Sequence, residues 1–356
     1  MQSSRPLNIE YPPRLKLAHI PTPLQFLPRA SQRWGHGKRI WIKRDDLTGS
    51  TLSGNKVRKL EFFAAYAREQ GYDTLITCGG VQSNHARATA GVCAQLGLRC
   101  ELVLRGSSLP DEGNVLLDHL FGATIQLVAA KDYQANLDAI LDETANRHAS
   151  QGHKALVIPT GGSNGLGIWG YIAGAEELLG DVLNAGLGQS VIVCATGSGG
   201  TQAGLTLGMA LHPKGPPVVG VAVCDDAQWF NQKVEQDIAE ARRLWPELPT
   251  CHPTPLTLDD YIGAGYGLAG PDVYGLIRDL AALEGIVLDP VYTGKAFHGL
   301  VSELALLAGH CSVSDGGNSE IRQMFAHAED VIFVHTGGIF GVFPHREGLR
   351  LALDRL

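Results

Sequence analysis

The sequence has no excess of positive charge and no long apolar run free of polar interruption. Its 29 Lys and Arg residues stand against 36 Asp and Glu residues, a formal net charge of -7. Such a chain offers no general electrostatic attraction to nucleic acid or to an anionic membrane surface. The long uncharged stretch at residues 182–213 is interrupted by glycines and hydroxyl side chains, which are costly at the centre of a bilayer. We therefore expect neither a nucleic-acid partner nor a membrane-spanning segment.

Paired cysteine motifs are also lacking. The seven cysteines are an odd number, none forms a Cys-x-x-Cys pair, and several lie inside apolar runs, which is typical of reduced thiols in a cytoplasmic protein. The first residues lack the apolar core of a secretion signal, so we expect a cytoplasmic location, and no metal site is predicted. A content of 44% hydrophobic and 18% charged residues is too apolar for a disordered chain. At roughly 150 residues per domain, the length allows about two domains of a soluble enzyme.

Short apolar runs alternate with longer helical patterns from about residue 57 onward. This alternation predicts a parallel sheet, whose strands are short and buried. A helix is predicted over residues 57–69, where Val57, Leu60, Ala64 and Ala67 share one face. The expected strands are at residues 74–78, 100–104, 124–128, 155–158, 191–195, 218–223, 286–288 and 331–335.

The predicted strands fall into two sets, separated by the glycine-rich segment at residues 159–162. Two α/β domains with a cleft between them are the simplest interpretation. The residues before 50 are rich in proline but contain a strand-like run at 40–43, and this part of the chain could belong to either domain.

Glycines cluster directly after predicted strands, where ligands bind in open α/β sheets. The segment 196–201, TGSGGT, follows the strand at 191–195 and precedes a predicted helix. Backbone N–H groups and a helix N-terminus together form an anion site. The segment lacks the third glycine of a dinucleotide motif, where Gln202 stands, and the lysine of a nucleotide P-loop. It therefore predicts a site for a single phosphate, aided by the hydroxyls of Ser198 and Thr201; the alternative is a strand-to-helix turn that binds no ligand.

Two lysines lie in the first turn of the predicted helix. Lys56 and Lys59 are three residues apart, so both project from one side of the positive end of the helix dipole. A Schiff base on one lysine and a phosphate beside the other would relieve this repulsion, because a desolvated lysine next to a cation forms imines readily. The alternative is that both lysines extend into water.

A hydroxyl and an amide also stand side by side at a predicted helix start. Ser83 and Asn84 follow the strand at 74–78, and either a functional role or a plain helix N-cap accounts for them. The neighbouring His85 is interpreted as a structural helix residue and not as a base.

Five segments taken together resemble one known family. They are KRDD at 43–46, SGNKVRKLEF at 53–62, QSNH at 82–85, TGSGGT at 196–201 and LDPVYTGKA at 288–296. In this order they resemble the D-cysteine desulfhydrase and 1-aminocyclopropane-1-carboxylate deaminase group of pyridoxal-phosphate enzymes, which have the tryptophan-synthase-β fold type. The resemblance extends from about residue 21 to residue 340.

The resemblance implies a fold and a division into domains. The fold class is α/β, with two open twisted, mostly parallel sheets flanked by helices and the cofactor cleft between a large and a small domain. Residues 1–50 and 162–356 would form the large cofactor-binding domain, and residues 51–161 the small domain. A homodimer is the assembly that the family implies.

The resemblance also implies roles for individual residues. Lys56 would carry pyridoxal 5'-phosphate as a Schiff base, and Asn84 would bind the phenolic oxygen of the cofactor. Ser83, Tyr266 and Tyr292 would face the substrate, and Thr293 would lie near the pyridine nitrogen, together with Thr336. The phosphate would be held by Lys59 and by Gly197, Ser198, Gly199, Gly200 and Thr201.

These residues suit a lyase that acts on a small amino acid. The cofactor acidifies the Cα–H of a bound amino acid, the freed lysine is the nearest base, and a β-substituent then leaves. The first expectation is a carbon–sulfur lyase that converts D-cysteine to sulfide, pyruvate and ammonia. Cyclopropane deamination and removal of sulfite from cysteate are alternatives, although the cyclopropane-opening members resembled here have a glutamate where this chain has Thr293. A nicotinamide-dependent oxidoreductase and a non-catalytic binding module are the alternatives from other classes.

Overall fold

The structure, a computed structural model, describes residues 9–310 and 318–354. The strands are β1 (Leu24–Phe26), β2 (Arg39–Lys43), β3 (Thr74–Gly80), β4 (Arg99–Arg105), β5 (Thr124–Val128), β6 (Ala155–Val157), β7 (Ser190–Thr196), β8 (Val218–Ala222), β9 (Leu256–Leu258) and β10 (Asp330–Val334). The helices are α1 (Pro28–Trp34), α2 (Asn55–Gln70), α3 (Asn84–Leu96), α4 (Gly113–Leu120), α5 (Ala130–Ser150), α6 (Trp169–Asn184), α7 (Gly200–Ala210), α8 (Ala227–Leu244), α9 (Pro271–Glu284), α10 (Thr293–Leu307), α11 (Ser319–His327) and α12 (Arg346–Leu353).

These strands form two sheets. The larger sheet has the order β1-β2-β10-β7-β8-β9, and the smaller has the order β5-β4-β3-β6. Every pair of neighbours is parallel except β1 and β2, which are antiparallel. Parallel strands need covering helices on their faces, which the intervening helices supply. The predicted fold class, two mostly parallel sheets flanked by helices, is confirmed.

All the predicted strands form except the one at residues 286–288. Ile286 and Leu288 are buried in the core of the larger sheet, as an apolar run requires. The carbonyl of Val287 between them lies 3.1 Å from the ring Nε2 of His335. This segment therefore bonds to a side chain instead of joining a strand ladder, and the prediction was wrong there. Strands β1 and β9 were not predicted.

Helix α2 carries the predicted apolar face into the core beside the smaller sheet. Val57, Leu60, Ala64 and Ala67 are all buried there. The helix ends where Gly71 adopts a left-handed conformation with φ of 70°, which glycine accommodates without a steric penalty. None of the helices in the described residues has both the length and the apolarity that a membrane span needs.

Arg58 ties the first turn of α2 to residues next to the larger sheet. Its buried guanidinium donates to both carboxylate oxygens of Asp45 at 2.8 Å and to Glu177 at 3.0 Å. Breaking a buried pair of this kind by removing one partner typically costs about 3–5 kcal/mol. The position of the helix start, and with it the two lysines of that turn, is therefore held firmly.

Candidate active site

The predicted functional residues converge on one cavity that is lined from both sheets. It has a volume of about 330 Å³ and lies at the carboxyl ends of β3, β4 and β7, which is where open α/β sheets bind ligands. The predicted residues that line it are Lys56, Ser83, Asn84, Gly197, Ser198, Gly199, Thr201, Tyr266, Tyr292 and Thr336.

Lys59 lies beneath the floor of the cavity and not on its surface. The side chain is fully buried, and Nζ donates to the carbonyl of Gly161 at 3.1 Å and to Oγ of Ser163 at 3.2 Å. Burial and then the positive charge of Lys56 lower the pKa of Lys59 well below its ordinary value. The alternative in which both lysines extend into water is therefore wrong for Lys59.

Lys56 lines the cavity as a partly buried amine. Within the described part of the chain, no hydrogen-bond acceptor is recorded for its Nζ. Burial, followed by the positive charge of Arg87, lowers its pKa to about 8. A lysine with this pKa holds about a tenth of its amine neutral at pH 7, far more than an ordinary lysine does. The group is thus suited to attack a carbonyl or to accept a proton.

We expect the acylation rate of Lys56 in the cofactor-free protein to rise with pH and to level off above about 8. The neutral amine is the reactive form, and a lowered pKa makes it available at lower pH. An amine-directed acylating reagent followed by peptide mass spectrometry measures the rate. The exposed Lys131, at the second position of α5, serves as the internal control in the same digest. A rate for Lys56 that still rises steeply above about pH 9, as for an ordinary lysine, would contradict this assignment.

The glycine segment 197–201 forms the turn from β7 into α7. Gly199 has φ of 83°, and a Cβ there would lie 2.9 Å from Cγ of Lys233. A Cβ at Gly200 would lie 2.7 Å from Nζ of Lys59. The segment therefore needs glycine both for its conformation and for the close approach of the Lys59 amine.

Hydroxyl groups surround the same turn. Ser198 Oγ and Ser163 Oγ lie 2.9 Å apart, and the backbone N–H of Gly200 donates to Ser163 Oγ at 3.1 Å. Thr201 Oγ1 accepts from the amide of Asn55 at 2.9 Å, and Thr196 Oγ1 is buried with no hydrogen-bond partner among the described residues. A buried lysine, hydroxyls and the N-terminus of a helix are groups that bind anions in proteins, and the phosphate site at this turn stays a prediction.

The start of α3 presents polar groups along another wall of the cavity. Ser83 is the N-cap and its Oγ accepts from the N–H of Ala86 at 3.1 Å, so the plain capping role holds while the residue also lines the cavity. Asn84 Oδ1 accepts from the amide of Asn114 at 3.1 Å. The Asn84 amide nitrogen is then the group that can donate a hydrogen bond to a ligand in the cavity.

His85 follows on the same turn, and both of its ring nitrogens are buried with no hydrogen-bond partner in the part of the chain that the structure describes. Burial, then the charges of Lys56 and Lys59, lower its pKa well below the ordinary value, so the ring is neutral. His85 was interpreted from the sequence as structural, yet it lines the cavity.

Two tyrosines form a pair in the lining of the cavity. The hydroxyl oxygens of Tyr266 and Tyr292 lie 2.5 Å apart. Burial and then the neighbouring Tyr266 raise the pKa of Tyr292 well above its ordinary value. Tyr292 therefore stays protonated at neutral pH and can donate a hydrogen bond.

Thr293 and Gly200 do not line the cavity. The Thr293 hydroxyl donates to Asp289 Oδ1 at 2.7 Å and accepts from the Asp289 N–H at 2.8 Å. It therefore already makes one hydrogen bond as donor and one as acceptor, both to Asp289. Its place beside the pyridine nitrogen remains a prediction. Thr336 does line the cavity, and its carbonyl accepts from the N–H of Asn55 at 3.0 Å.

Several functional candidates were missed in the sequence. Asn55 stands next to Lys56, and Ser163 follows a predicted strand and two glycines, so both carried a local signal. Arg105 is the last residue of β4, and position at the carboxyl end of a parallel strand was its only signal. Tyr133, within α5, had no sequence signal of a functional role.

Comparison with known proteins gives consistent matches along almost the whole chain. A family model described as "Pyridoxal-phosphate dependent enzyme" matches residues 15–314. A putative 1-aminocyclopropane-1-carboxylate deaminase of Thermotoga maritima is 41% identical over 338 residues, covering 94% of this chain and 99% of the relative. A D-cysteine desulfhydrase of Klebsiella pneumoniae is 39% identical over 350 residues, covering 95% of this chain and 98% of the relative.

A solved structure, described as that of an ACC deaminase homologue, superposes with a TM-score of 0.82. It is 36% identical, and the match covers 96% of each chain. The family resemblance inferred from the five segments is thus confirmed, and so is pyridoxal phosphate as the cofactor. On these matches, the chain belongs to the family of pyridoxal-phosphate-dependent enzymes.

Proposed function

We propose that the chain is a lyase that removes a β-substituent from a small amino acid, with D-cysteine as the first substrate and sulfide, pyruvate and ammonia as the products. The observation that carries the proposal is the placement of Lys56, an amine with a pKa of about 8, in one cavity with the Tyr266 and Tyr292 pair. The relative named D-cysteine desulfhydrase, similar over nearly the full length, supports this choice of substrate.

The cavity fits pyridoxal phosphate. Lys56 would bind the cofactor covalently through Nζ, and Asn84 would donate to its phenolic oxygen. The phosphate would be held by Lys59 and Ser163 with the turn formed by Gly197, Ser198, Gly199, Gly200 and Thr201. The glycines keep this turn open, and the unpartnered hydroxyl of Thr196 gives a buried donor to an anion. When bound, the cofactor supplies an electron sink that makes the Cα–H of an amino acid acidic.

The N-terminus of α3 would bind the carboxylate of the substrate. The N–H groups of Asn84 and His85 are in the first helical turn and have no acceptor within the helix. The N–H groups of Ala86 and Arg87 already bond to Ser83. A carboxylate is favoured at such a helix end, and Ser83 stands at the same place to fix its orientation.

Lys56 would then move the proton. Its Nζ is partly buried and has a pKa of about 8, near the working pH, where a general base is most efficient. Tyr292, which stays protonated, would donate a hydrogen bond to the departing thiolate, and Tyr266 would hold that hydroxyl in place through their contact.

We expect Tyr292→Phe to lower kcat by about a hundredfold, because one hydrogen-bond donor positioned at a developing negative charge contributes about that much. The ring remains, so packing is kept and only the hydroxyl is lost. Steady-state release of pyruvate measures the effect. The control is Tyr274→Phe, since Tyr274 lies in α9 and its hydroxyl contacts His345 outside the cavity. Unchanged turnover in Tyr292→Phe would remove the residue from the reaction.

We further propose that residues 1–50 and 162–356 form the large domain and residues 51–161 the small domain, with the cavity between them. The membership of β1 and β2 in the larger sheet supports the first part of this division. We also propose a cytoplasmic homodimer. The described cysteines, all but Cys311, are free, which accords with a reducing compartment. Scattering and sedimentation of the purified protein would test the assembly.

A panel of amino acids tests the proposed function. The enzyme is incubated with both enantiomers of cysteine, β-chloroalanine, cysteate and 1-aminocyclopropane-1-carboxylate, and keto acid is measured. We expect fast release of pyruvate and sulfide from D-cysteine and a much slower reaction with L-cysteine. Activity on the cyclopropane substrate, the compound in the name of the Thermotoga relative, or activity on β-chloroalanine with none on D-cysteine, would overturn the proposal.

A further inference from the structure

Asn114 contacts the start of α3 without lining the cavity itself. It is the second residue of α4, and its side chain is fully buried. Its Nδ2 donates to the carbonyl of Gln82 at 2.9 Å and to Oδ1 of Asn84 at 3.1 Å. Its Oδ1 accepts from Nε of Arg87 at 3.2 Å. One buried amide therefore bonds to three residues of the segment that carries Asn84.

These neighbours fix which end of the Asn114 amide faces which way. A guanidinium can only donate, so the atom that faces Arg87 must be the oxygen. A main-chain carbonyl can only accept, so the atom that faces the carbonyl of Gln82 must be the nitrogen. That nitrogen can only donate in turn, so the atom of Asn84 that meets it must be Oδ1. The Asn84 nitrogen is thereby kept for a ligand.

The backbone around Asn114 is held by the same segment. The N–H of Asn114 donates to Oε1 of Gln82 at 2.8 Å, and Nε2 of Gln82 donates to the carbonyl of Glu112 at 3.1 Å. Gly113 between them has φ of 63°, and a Cβ there would clash with Oε1 of Gln82. The start of α4 and the segment before α3 therefore hold each other in one arrangement.

Arg87, which sets the direction of the Asn114 amide, is itself held firmly. The buried guanidinium also donates to the carbonyls of Thr51 and Ser53, in the segment that leads to Lys56. Reversal of the Asn114 amide would set its N–H group against this donor and leave buried polar groups unpaired, which is costly. The direction of the amide is therefore determined by contacts that do not involve a ligand.

We propose that Asn114 is a positioning residue for the cofactor, because it holds the Asn84 amide with its nitrogen available to the phenolic oxygen of pyridoxal phosphate. The inference rests on the contact between Asn84 and the cofactor given in the proposed function, and adds the group that decides the polarity of this contact. A donor at the phenolic oxygen stabilises its ionised form. A carbonyl oxygen in the same place would repel it.

The absorption of the substrate-free holoenzyme tests the inference in Asn114→Asp. Aspartate has the shape of asparagine and accepts from Arg87, but its carboxylate cannot donate to Asn84. We expect the Asn84 amide to reverse and to present its oxygen to the cofactor. The bound cofactor absorbs in the visible when the phenolic oxygen is ionised and in the near ultraviolet when it is not. The ratio of visible to near-ultraviolet absorbance should fall by about tenfold, the value of one hydrogen bond to a charged group.

Asn84→Ala shows whether Asn114 acts through Asn84. This variant should lower the ratio by itself, and adding Asn114→Asp should lower it no further, because two residues that act through one contact are not additive. Asn114→Ala leaves Asn84 free to adopt either orientation and should give a ratio between those of the wild type and Asn114→Asp. It also covers the case in which Asn114→Asp does not fold.

Asn231→Asp is the matched control. Asn231 lies in α8 outside the cavity, and its Oδ1 accepts from the hydroxyl of Thr257 at 2.7 Å, which a carboxylate can also do. The control should keep the wild-type ratio. An unchanged ratio in both Asn114 variants, or an effect of Asn114→Asp that persists in full beside Asn84→Ala, would overturn the inference. So would an unchanged ratio in Asn84→Ala, which would also remove the proposed cofactor contact. The choice of D-cysteine as substrate is tested separately, since these spectra are recorded without substrate.

Discussion

Lys56→Ala should lower the turnover of any amino-acid substrate by at least about a thousandfold, since it removes both the covalent anchor of the cofactor and the proposed base. The side chain is partly buried at the second position of α2, and alanine is well tolerated in a helix, so the fold should remain. Single-turnover pyruvate release and the visible absorption of the cofactor are the two measurements.

Lys131→Ala provides the control for Lys56→Ala. Lys131 is also the second residue of its helix, α5, but it is exposed and outside the cavity. The control variant should retain the activity and the colour of the wild type. Substantial turnover in Lys56→Ala, with the cofactor still bound covalently, would place the reactive amine elsewhere.

Gly199→Asp should weaken the binding of pyridoxal phosphate by about a hundredfold or more. The glycine has φ of 83°, a Cβ would press against Lys233 at 2.9 Å, and a carboxylate would repel the phosphate from the turn. Equilibrium dialysis of the cofactor-free protein measures the affinity.

Gly199→Asn separates the charge from the strain, because asparagine has the same shape as aspartate without the charge. We expect Gly199→Asp to bind the cofactor at least about tenfold more weakly than Gly199→Asn. Equal affinities of the two variants would show that the phosphate does not lie at this turn.

Local sequence patterns predicted the elements that carry the site. The period of Val57, Leu60, Ala64 and Ala67 located α2, and with it Lys56 and Lys59 in the first turn. The glycines at 197–200 follow β7 directly, so the position of that turn at a strand end could be inferred from neighbouring residues. Such features depend on contacts between residues that are close in the sequence, and the hydrophobic period and the turn residues indicate those contacts.

Contacts between distant segments could not be predicted in this way. Arg105 meets Tyr133 and Tyr266 only because three segments far apart in the sequence reach one cavity. Likewise, the Thr293 hydroxyl donates its hydrogen bond to Asp289. The cofactor contact inferred from the motif would have to replace that bond, which the motif alone does not show. Residues 286–288 show the same limit, since an apolar run is buried whether or not it joins a sheet.

Reduction of the holoenzyme with borohydride, followed by peptide mass spectrometry, tests the central claim most directly. Borohydride fixes the cofactor irreversibly onto the lysine that carries it, so the modified peptide identifies the residue. The account predicts a single pyridoxyl group on Lys56, with Lys59, three residues further along the same helix, unmodified. A pyridoxyl group on Lys59 or on any other lysine, or no modified peptide from protein that contains the cofactor, would contradict it.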